Sequence, residues 1–305
     1  MVKGDDVRSG FVVLVGAPNV GKSTLMNQVL KEKISITCPK PQTTRNRILG
    51  IYNTARCQMV FVDTPGIHRA RDSFNKILVE TALSALADVD VIAFIADVTA
   101  KGTDLDRFVL QAMEKLTVPV VLVLNKVDLL KDKGALLPLI QRFAEMRDFA
   151  AVVPVSALKG HGVEELVAEL EKLLPEGPRY YPEDAVTDQP ERFLAAEIVR
   201  EKVFHLTEEE VPYATAVTVD VFKDEPERNL VRIEATIHVE RDSQKGIVIG
   251  KAGARLKEIG RQAREGLERL LGCRVYLGLY VRVQKNWRRD RRVLGEFGYR
   301  VPRKG

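Results

Sequence analysis

The sequence of 305 residues predicts an α/β fold in two domains: a doubly wound, mainly parallel sheet, followed by a smaller α+β domain. Three observations predict this. Short β-branched runs alternate with helical patterns through the first half. A segment rich in proline and glycine, residues 174–184, then interrupts the periodicity. After it, the order becomes helix, two strands, two helices and a strand. We therefore expect domains at residues 1–178 and 185–305, joined by a linker at 179–184.

The first domain is organised around a glycine-rich turn, residues 16–24, between an apolar strand and a helix. A strand, such a turn, Gly-Lys-Ser and a helix make a P-loop, whose backbone N–H groups surround phosphate oxygens. Lys22 can reach the β- and γ-phosphates of a nucleotide, and the Ser23 hydroxyl can bind Mg²⁺. The predicted nucleotide contacts in this turn are Ala17, Pro18, Asn19, Val20, Gly21, Lys22, Ser23 and Thr24.

Two later segments complete the predicted phosphate and metal site. A polar loop with two prolines holds a threonine that can be the second hydroxyl on Mg²⁺; Thr44 is our choice and Thr43 the alternative. Asp63 ends a buried strand and can hold the metal shell, while Gly66 can offer its backbone N–H to the γ-phosphate. The predicted metal ligands are Ser23, Thr44 and Asp63, and the predicted catalytic residues are Lys22, Thr44, Gly66 and Asn19.

The segment 125–128, Asn-Lys-Val-Asp, predicts the base. Asp128 offers two acceptors to the N1–H and 2-amino donors of guanine, a donor pair that adenine lacks. Asn125 can tie this loop to the P-loop, and the stem of Lys126 can cover the base. The Ala157 N–H can meet guanine O6. The predicted contacts in the last loop are Ser156, Ala157 and Leu158.

The second domain holds a Gly-x-x-Gly turn, residues 250–253, between two predicted helices. Glycines there let a sugar–phosphate backbone approach closely. Residues 241–305 contain 18 Lys and Arg against 6 Asp and Glu, and the segment 285–292 places one Trp beside five cations. The predicted RNA contacts are Ile249, Gly250, Lys251, Ala252, Gly253, Arg255, Lys257, Lys285, Trp287 and Arg288.

Composition limits the class of protein. The net charge of +5 and the pI of about 9.0 are mild, so the local distribution of charge matters more than the total. The three cysteines have neither metal-site spacing nor a disulfide pattern, which favours a reducing cytosol. Residues 1–6 include two acids where a signal peptide has cations, and no stretch approaches 18 uninterrupted apolar residues.

The order of the motifs resembles that of the translation-factor-like GTPases, and the second half resembles a type II KH domain. Together, Gly-x-Pro-Asn-Val-Gly-Lys-Ser, Pro-Gln-Thr-Thr-Arg, Asp-Thr-Pro-Gly and Asn-Lys-Val-Asp before a KH domain resemble the Era family of bacterial GTPases over nearly the whole chain. The resemblance implies binding of GTP and GDP, GTP hydrolysis, and contact with the 3′ end of 16S rRNA during assembly of the 30S subunit. It further implies a cytoplasmic monomer that contacts the inner face of the membrane peripherally.

Two residues, Ile67 and Asn19, depart from the signalling GTPases. The residue after Asp-Thr-Pro-Gly is Ile67, which cannot orient water as a glutamine does. In similar GTPases an asparagine at the position of Asn19 binds K⁺, whose charge takes the place of an arginine finger.

The expected mechanism is a GTP-timed RNA clamp, in which bound GTP and Mg²⁺ order the loops around Thr44 and Gly66. Two alternatives remain open from the sequence. One is a slow regulatory GTPase whose C-terminal domain binds a protein or membrane partner. The other is an RNA-binding module whose nucleotide domain is only structural.

Overall fold

A computed structural model describes residues 7–70, 72–100 and 104–299. They form two compact units. The first comprises residues up to 35 together with 44–188, and the second comprises 36–43 together with those from 189 onward. Residues 1–6, in which we predict no signal peptide, lie outside the described residues. The outer ends of both predicted domains also lie outside them.

The predicted linker, residues 179–184, belongs to the first unit. Arg179 Nη2 donates to the carbonyl of Thr54 at 2.7 Å, and the side-chain oxygen of Gln58 accepts from the backbone N–H groups of Tyr180 and Tyr181. These bonds hold the segment beside the second and third strands. The units therefore divide after residue 188, later in the chain than the composition suggested.

The first unit contains a mainly parallel sheet with helices between most successive strands, as predicted. Its elements are β1 (Val7–Val15), α1 (Lys22–Leu30), β2 (Ile48–Asn53), β3 (Cys57–Asp63), α2 (Ser73–Ser84), β4 (Val91–Asp97), α3 (Asp104–Ala112), β5 (Val120–Asn125), α4 (Leu136–Ala144), β6 (Ala151–Val155), α5 (Val163–Leu173) and β7 (Glu176–Gly177).

The strand order within the described residues is β2-β3-β1-β4-β5-β6, with β7 pairing to β1. Strands β3, β1, β4, β5 and β6 run parallel to their neighbours, whereas β2 and β7 are antiparallel. The central strands are almost entirely apolar and buried, as expected for a sheet covered on both faces. The carboxyl ends of the parallel strands therefore meet at one edge, which is where ligands bind in open α/β sheets.

The second unit has the element order predicted for a type II KH domain. Its elements are α6 (Glu191–Leu206), β8 (Ala216–Glu225), β9 (Leu230–Val239), α7 (Asp242–Ile249), α8 (Ala254–Leu271), β10 (Arg274–Val283) and α9 (Arg291–Glu296). The sheet order is β10-β9-β8, with β10 parallel to β9 and β8 antiparallel to it. Buried residues of α6, α7 and α8 form one apolar core with the sheet.

No helix among residues 7–70, 72–100 and 104–299 is both long enough and apolar enough to cross a bilayer.

Trp287 anchors the segment that follows β10. Its side chain is fully buried, its ring packs against Phe297 and Tyr299, and its Nε1 donates to the carbonyl of Ala214 at 2.9 Å. The segment after the sheet is thereby fixed to the body of the second unit.

We expect Trp287→Ala to lower the free energy of unfolding by about 3–5 kcal/mol, because it removes a large buried ring and leaves a cavity. Urea unfolding followed by circular dichroism measures the loss. Tyr280→Ala is the matched control, since that ring is 57% exposed, and its loss should stay below about 1 kcal/mol. Equal losses in the two variants would contradict this account of Trp287.

Candidate functional site

The P-loop connects β1 to α1, as predicted. Its last glycine, Gly21, has a φ of 100°, in the left-handed region that glycine adopts without strain. A Cβ added there would lie 2.3 Å from Nδ2 of Asn125, so close packing as well as backbone conformation requires glycine. Ala17, Pro18, Asn19 and Val20 form the turn itself, and Thr24 lies in the first turn of α1.

Lys22 is buried inside this turn. Its Nζ donates to the carbonyls of Gly16 at 3.2 Å and Ala17 at 2.9 Å. Burial lowers the pKa of Lys22 to about 8, and the charge of Asp63 only partly offsets that effect. Asp63 compensates only part of the positive charge of the buried ammonium group. Phosphate oxygens bound in the turn would supply the remaining negative charge.

The three predicted metal ligands lie together. Ser23 Oγ donates to Asp63 Oδ2 at 2.6 Å and lies 2.8 Å from Thr44 Oγ1. The Thr43 hydroxyl instead donates to the carbonyl of Lys40 at 2.6 Å, so the geometry favours Thr44 over Thr43. One carboxylate and two hydroxyls therefore converge here. Asp63 comes from the end of β3, Ser23 from the first turn of α1, and Thr44 from the loop between α1 and β2.

Asp63 fits a hard cation in two further respects. It is completely buried, and its Oδ1 has no hydrogen-bond partner among the described residues. Burial raises the pKa of Asp63, with the bond from Ser23 opposing the shift. No group of three His, Cys, Asp or Glu side chains in the described part of the chain could hold a metal. Oxygen ligands of this mixed kind suit Mg²⁺.

Ser35 is a member of this cluster that sequence reasoning missed. Its Oγ donates to Asp63 Oδ2 at 2.8 Å, and its backbone N–H donates to the side chain of Asn27. No motif marks a serine at this place, and only the folded path of the loop after α1 brings it to the carboxylate.

The predicted guanine loops are also joined to the P-loop. Asn125 Nδ2 donates to the carbonyl of Val20 at 2.7 Å, and Asn125 Oδ1 accepts from the backbone N–H of Ala157 at 2.9 Å. Ser156 Oγ donates to Asp128 Oδ1 at 2.6 Å, which leaves the second carboxylate oxygen for a ligand. Leu158, which follows Ala157 in the chain, is exposed. One buried amide thus connects three loops.

Asp97, at the end of β4, is a second residue that the sequence did not identify. Its carboxylate accepts a hydrogen bond from Lys126 Nζ at 2.5 Å. Burial alone would raise the pKa of Asp97, but bonds from Lys126 and Thr99 outweigh it and the pKa falls below its usual range. The ionised Asp97 therefore holds the side chain of Lys126, whose aliphatic stem is predicted to cover the base.

Gly66 lies against the P-loop, where a Cβ would come within 2.7 Å of the Pro18 backbone. The next residue, Ile67, is fully buried, and its N–H donates to the carbonyl of Gly16 at 3.2 Å. The ring of His68 is held between the carbonyl of Gly66 and the side chain of Asn75. The apolar, buried Ile67 therefore cannot orient water as a glutamine at that position does.

The Gly-x-x-Gly turn of the second unit has the expected form. Helix α7 ends at Ile249, Gly250 has a φ of 73°, and a single 3₁₀ turn over Lys251–Gly253 leads into α8. A Cβ on Gly250 would lie 2.8 Å from the Cβ of Arg255, whose Nη1 donates to the carbonyl of Ile247 at 2.6 Å. The exposed side chains around the turn are Lys251, Ala252, Arg255 and Lys257.

One of the predicted RNA contacts after β10 needs correction. The prediction for Trp287 is wrong, because its buried ring is packed inside the unit and cannot stack on a base. Arg288 is half-buried, and its Nε and Nη2 both donate to Glu240 Oε2, so its role as an RNA contact stays a prediction. Lys285 is exposed, as an RNA contact requires.

The fold and these loops define a P-loop GTPase domain followed by a type II KH domain. Comparison with protein families agrees: a model described as a 50S ribosome-binding GTPase matches residues 11–126, and a KH domain model matches residues 210–288.

Relatives extend the match to almost the whole chain. It is 55% identical to the GTPase Era of Geobacter metallireducens, over 96% of this chain and 98% of that protein. It is 46% identical to the GTPase Era of Staphylococcus haemolyticus, over 96% and 97%. A crystal structure of Era in complex with MgGDPNP and nucleotides 1506-1542 of 16S ribosomal RNA matches with a TM-score of 0.94 and 44% identity, covering 97% of this chain and 100% of that one. The chain belongs to the Era family of GTPases.

We expect nucleotide binding to take up protons in the mildly alkaline range. Lys22 has a pKa of about 8 in the structure, and nearby phosphates raise the pKa of an ammonium group. Binding should therefore take up more protons at pH 8 than at pH 7, and affinity should decline as the pH rises above 8. Calorimetry of GDP binding in two buffers of different ionisation enthalpy measures the uptake. Proton release at pH 8, or equal uptake at both pH values, would contradict this role of Lys22.

Proposed function

We propose that this chain is a GTP-hydrolysing factor that binds the 3′ end of 16S rRNA during assembly of the small ribosomal subunit. The observation that carries the proposal is the exposed Gly-x-x-Gly turn at 250–253, with three cations beside it, on a chain that also holds a GTPase site. The rRNA complex of the related Era supports the choice of RNA.

In the proposed mechanism the nucleotide site works by positioning and electrostatics. The N–H groups of the P-loop and the N-terminus of α1 surround the phosphates, and Lys22 neutralises the charge that develops on them. Ser23, Thr44 and Asp63 would hold Mg²⁺, which would neutralise negative charge on the phosphates. The Gly66 N–H donates to the γ-phosphate, and Asp128 selects guanine.

The RNA clamp is timed by the same phosphate. With GTP bound, Thr44 and Gly66 are held by contacts that depend on the γ-phosphate, and that order favours the form that binds RNA. Hydrolysis removes those contacts and permits release. Because the coupling is between two binding equilibria, bound RNA must alter nucleotide affinity by the same factor.

We expect a 16S 3′-end RNA to bind at least about fivefold more tightly with a GTP analogue than with GDP, the lower end of typical coupling. Lys251→Glu together with Lys257→Glu should weaken binding and lower the salt dependence, because phosphate contacts release counterions. Fluorescence anisotropy at several KCl concentrations measures both effects. Lys172→Glu, an exposed lysine of the first unit, is the matched reversal and should change little.

The two parts of the proposal fail separately in this experiment. Equal affinity with the GTP analogue and GDP would reject the timing. Undiminished RNA binding after the double reversal would reject the turn as the clamp. Failure of the original chain to bind the RNA in either nucleotide state would favour a protein or membrane partner.

We further propose that Asn19 holds K⁺ beside the phosphates and that this charge takes the place of an arginine finger. Two observations support it. Asn19 lies exposed in the P-loop turn with a φ of 64°, and the buried Ile67 stands where other GTPases have a glutamine. A monomeric state, a cytoplasmic location and a peripheral membrane contact remain predictions from the family resemblance.

We expect GTP hydrolysis to be faster in KCl than in NaCl, and Asn19→Ala to abolish that difference. Single-turnover rates at equal ionic strength give the comparison, with GDP affinity measured in parallel to confirm that the P-loop of the variant is intact. Equal rates of the original chain in the two salts would exclude the K⁺ site.

A further inference from the structure

Strand β10 has one face covered by helices and one face open. Val275 is buried and belongs to the apolar core of the second unit, together with Ile233 of β9 and Ile259 of α8. Because successive side chains of a strand point to opposite faces, the alternate positions of β10 lie on the side of the sheet away from the helices. These positions form the outer row, which consists of Arg274, Tyr276, Gly278, Tyr280 and Arg282.

Two aromatic rings of the outer row are open to solvent. Tyr276 is 53% exposed and Tyr280 is 57% exposed. They lie four residues apart on one strand, which corresponds to about 13 Å. The guanidinium of Arg232 on β9 lies over the Tyr276 ring, 5.3 Å from its centroid, and is itself paired with Glu234. The Tyr276 ring is therefore held in place while more than half of the side chain stays accessible.

Gly278 lies between the two rings, and the fold does not require a glycine there. Its backbone is outside the left-handed region, and a Cβ would meet its nearest neighbour, Cγ of Glu234, at 3.5 Å, an ordinary van der Waals distance. A glycine inside a strand weakens it and often marks a place where a ligand or another backbone approaches closely. A ligand that passes between the rings therefore explains the missing side chain, whereas packing among the described residues does not.

The outer row carries positive charge and no acid. Arg274 and Arg282 lie at its two ends, and both are exposed. On β9, Glu234 pairs in register with Gly278, and its charge is neutralised by Arg232. Exposed aromatic rings between cations suit single-stranded nucleic acid, because bases of any kind stack on the rings and the cations attract phosphates. Charge complementarity thus favours an RNA strand on this face.

We infer that the outer row is a second RNA-binding surface, which takes single-stranded RNA on the face of the sheet away from the helices that hold the Gly-x-x-Gly turn. One base stacks on Tyr276 and another on Tyr280, and the backbone that joins them crosses Gly278. The arginines at the two ends contact phosphates. Because β10 is an edge strand of the described sheet, RNA held at the turn can continue around that edge. The inference rests on the proposed function, which makes the second unit the RNA-binding part of the chain.

The test uses oligouridine of about 16 nucleotides, the upper size of a single-strand site, so that no 16S sequence is needed. We expect Tyr276→Ala with Tyr280→Ala to weaken its binding at least about 25-fold, from a lower limit of about fivefold for each stacked base. Tyr276→Phe with Tyr280→Phe keeps both rings and should stay within about twofold of the original chain. Fluorescence anisotropy measures the affinities.

Two results of this titration would overturn the inference. One is an original chain that does not bind oligouridine. The other is undiminished binding after the loss of both rings, which would leave the face to a protein partner. Tyr180→Ala is the matched control, because that tyrosine of the first unit is also exposed; its affinity should stay within about twofold of the original. A loss in the control equal to that of the double variant would likewise reject the outer row.

Gly278→Val separates RNA binding from folding. The variant should be at least as stable as the original chain in urea unfolding, because valine favours strands and the nearest described atom leaves room for a Cβ. Its oligouridine affinity should nevertheless fall at least about fivefold, the loss of one stacked base, since the new side chain stands where the backbone of the RNA crosses. A stable variant with undiminished affinity would contradict the inference.

Photocrosslinking locates the contact. Oligouridine that contains an iodinated uridine is irradiated on the original chain, and the crosslinked peptides are identified by mass spectrometry. Trypsin cuts after Arg274 and Arg282, so both tyrosines of the outer row lie on the peptide 275–282. Crosslinks on that peptide support the inference, and crosslinks confined to other peptides reject it.

The outer row and the Gly-x-x-Gly turn are tested apart. In a background of Lys251→Glu with Lys257→Glu, the loss of both rings should lower oligouridine affinity by the same factor, because distant sites are additive. The absence of any further loss in that background would overturn a separate surface. A chain that binds oligouridine through the outer row but fails to bind the 16S 3′-end RNA in either nucleotide state would reject the proposed function and support the inference.

Discussion

The nucleotide site depends on one buried carboxylate, that of Asp63. It lies at the end of β3, fully shielded from water, and accepts hydrogen bonds from the hydroxyls of Ser23 and Ser35. A charge in such a place is costly unless other groups compensate for it. The compensation comes from the P-loop, from the loop after α1 and from Lys22 nearby, so the positions of these parts are set by the need to satisfy a single side chain.

At the predicted guanine-binding loops, the neutral side-chain amide of Asn125 connects the surrounding segments as Asp63 does at the metal cluster. Asn125 uses its donor on the P-loop and its acceptor on the loop that contains Ala157. Phosphate recognition and base recognition are thereby built into one rigid unit. Gly21 shows how tight the arrangement is, because a Cβ there would lie only 2.3 Å from the Asn125 amide nitrogen. A larger residue at position 21 would separate the two halves of the site.

The nucleotide motifs could be predicted from the sequence because each is local: a few consecutive residues at the end of a strand define both the shape and the chemistry. The order of strands and helices followed from periodicity in the same way. The contacts of Ser35 and Asp97 could not be predicted, since each joins residues far apart in the chain. The position of Trp287 was misjudged because a tryptophan among cations has the composition of a nucleic-acid contact, whereas its burial depends on Phe297 and Tyr299 folding back over it.

That burial has a spectroscopic consequence. Trp287 is the chain's one tryptophan, and it lies in the second unit. Excitation at wavelengths that only indole absorbs therefore yields an emission that originates entirely from the KH half of the molecule. A ring shielded from solvent emits further to the blue than one in water, so the spectrum records whether the segment after β10 is seated, without any contribution from the nucleotide-binding half.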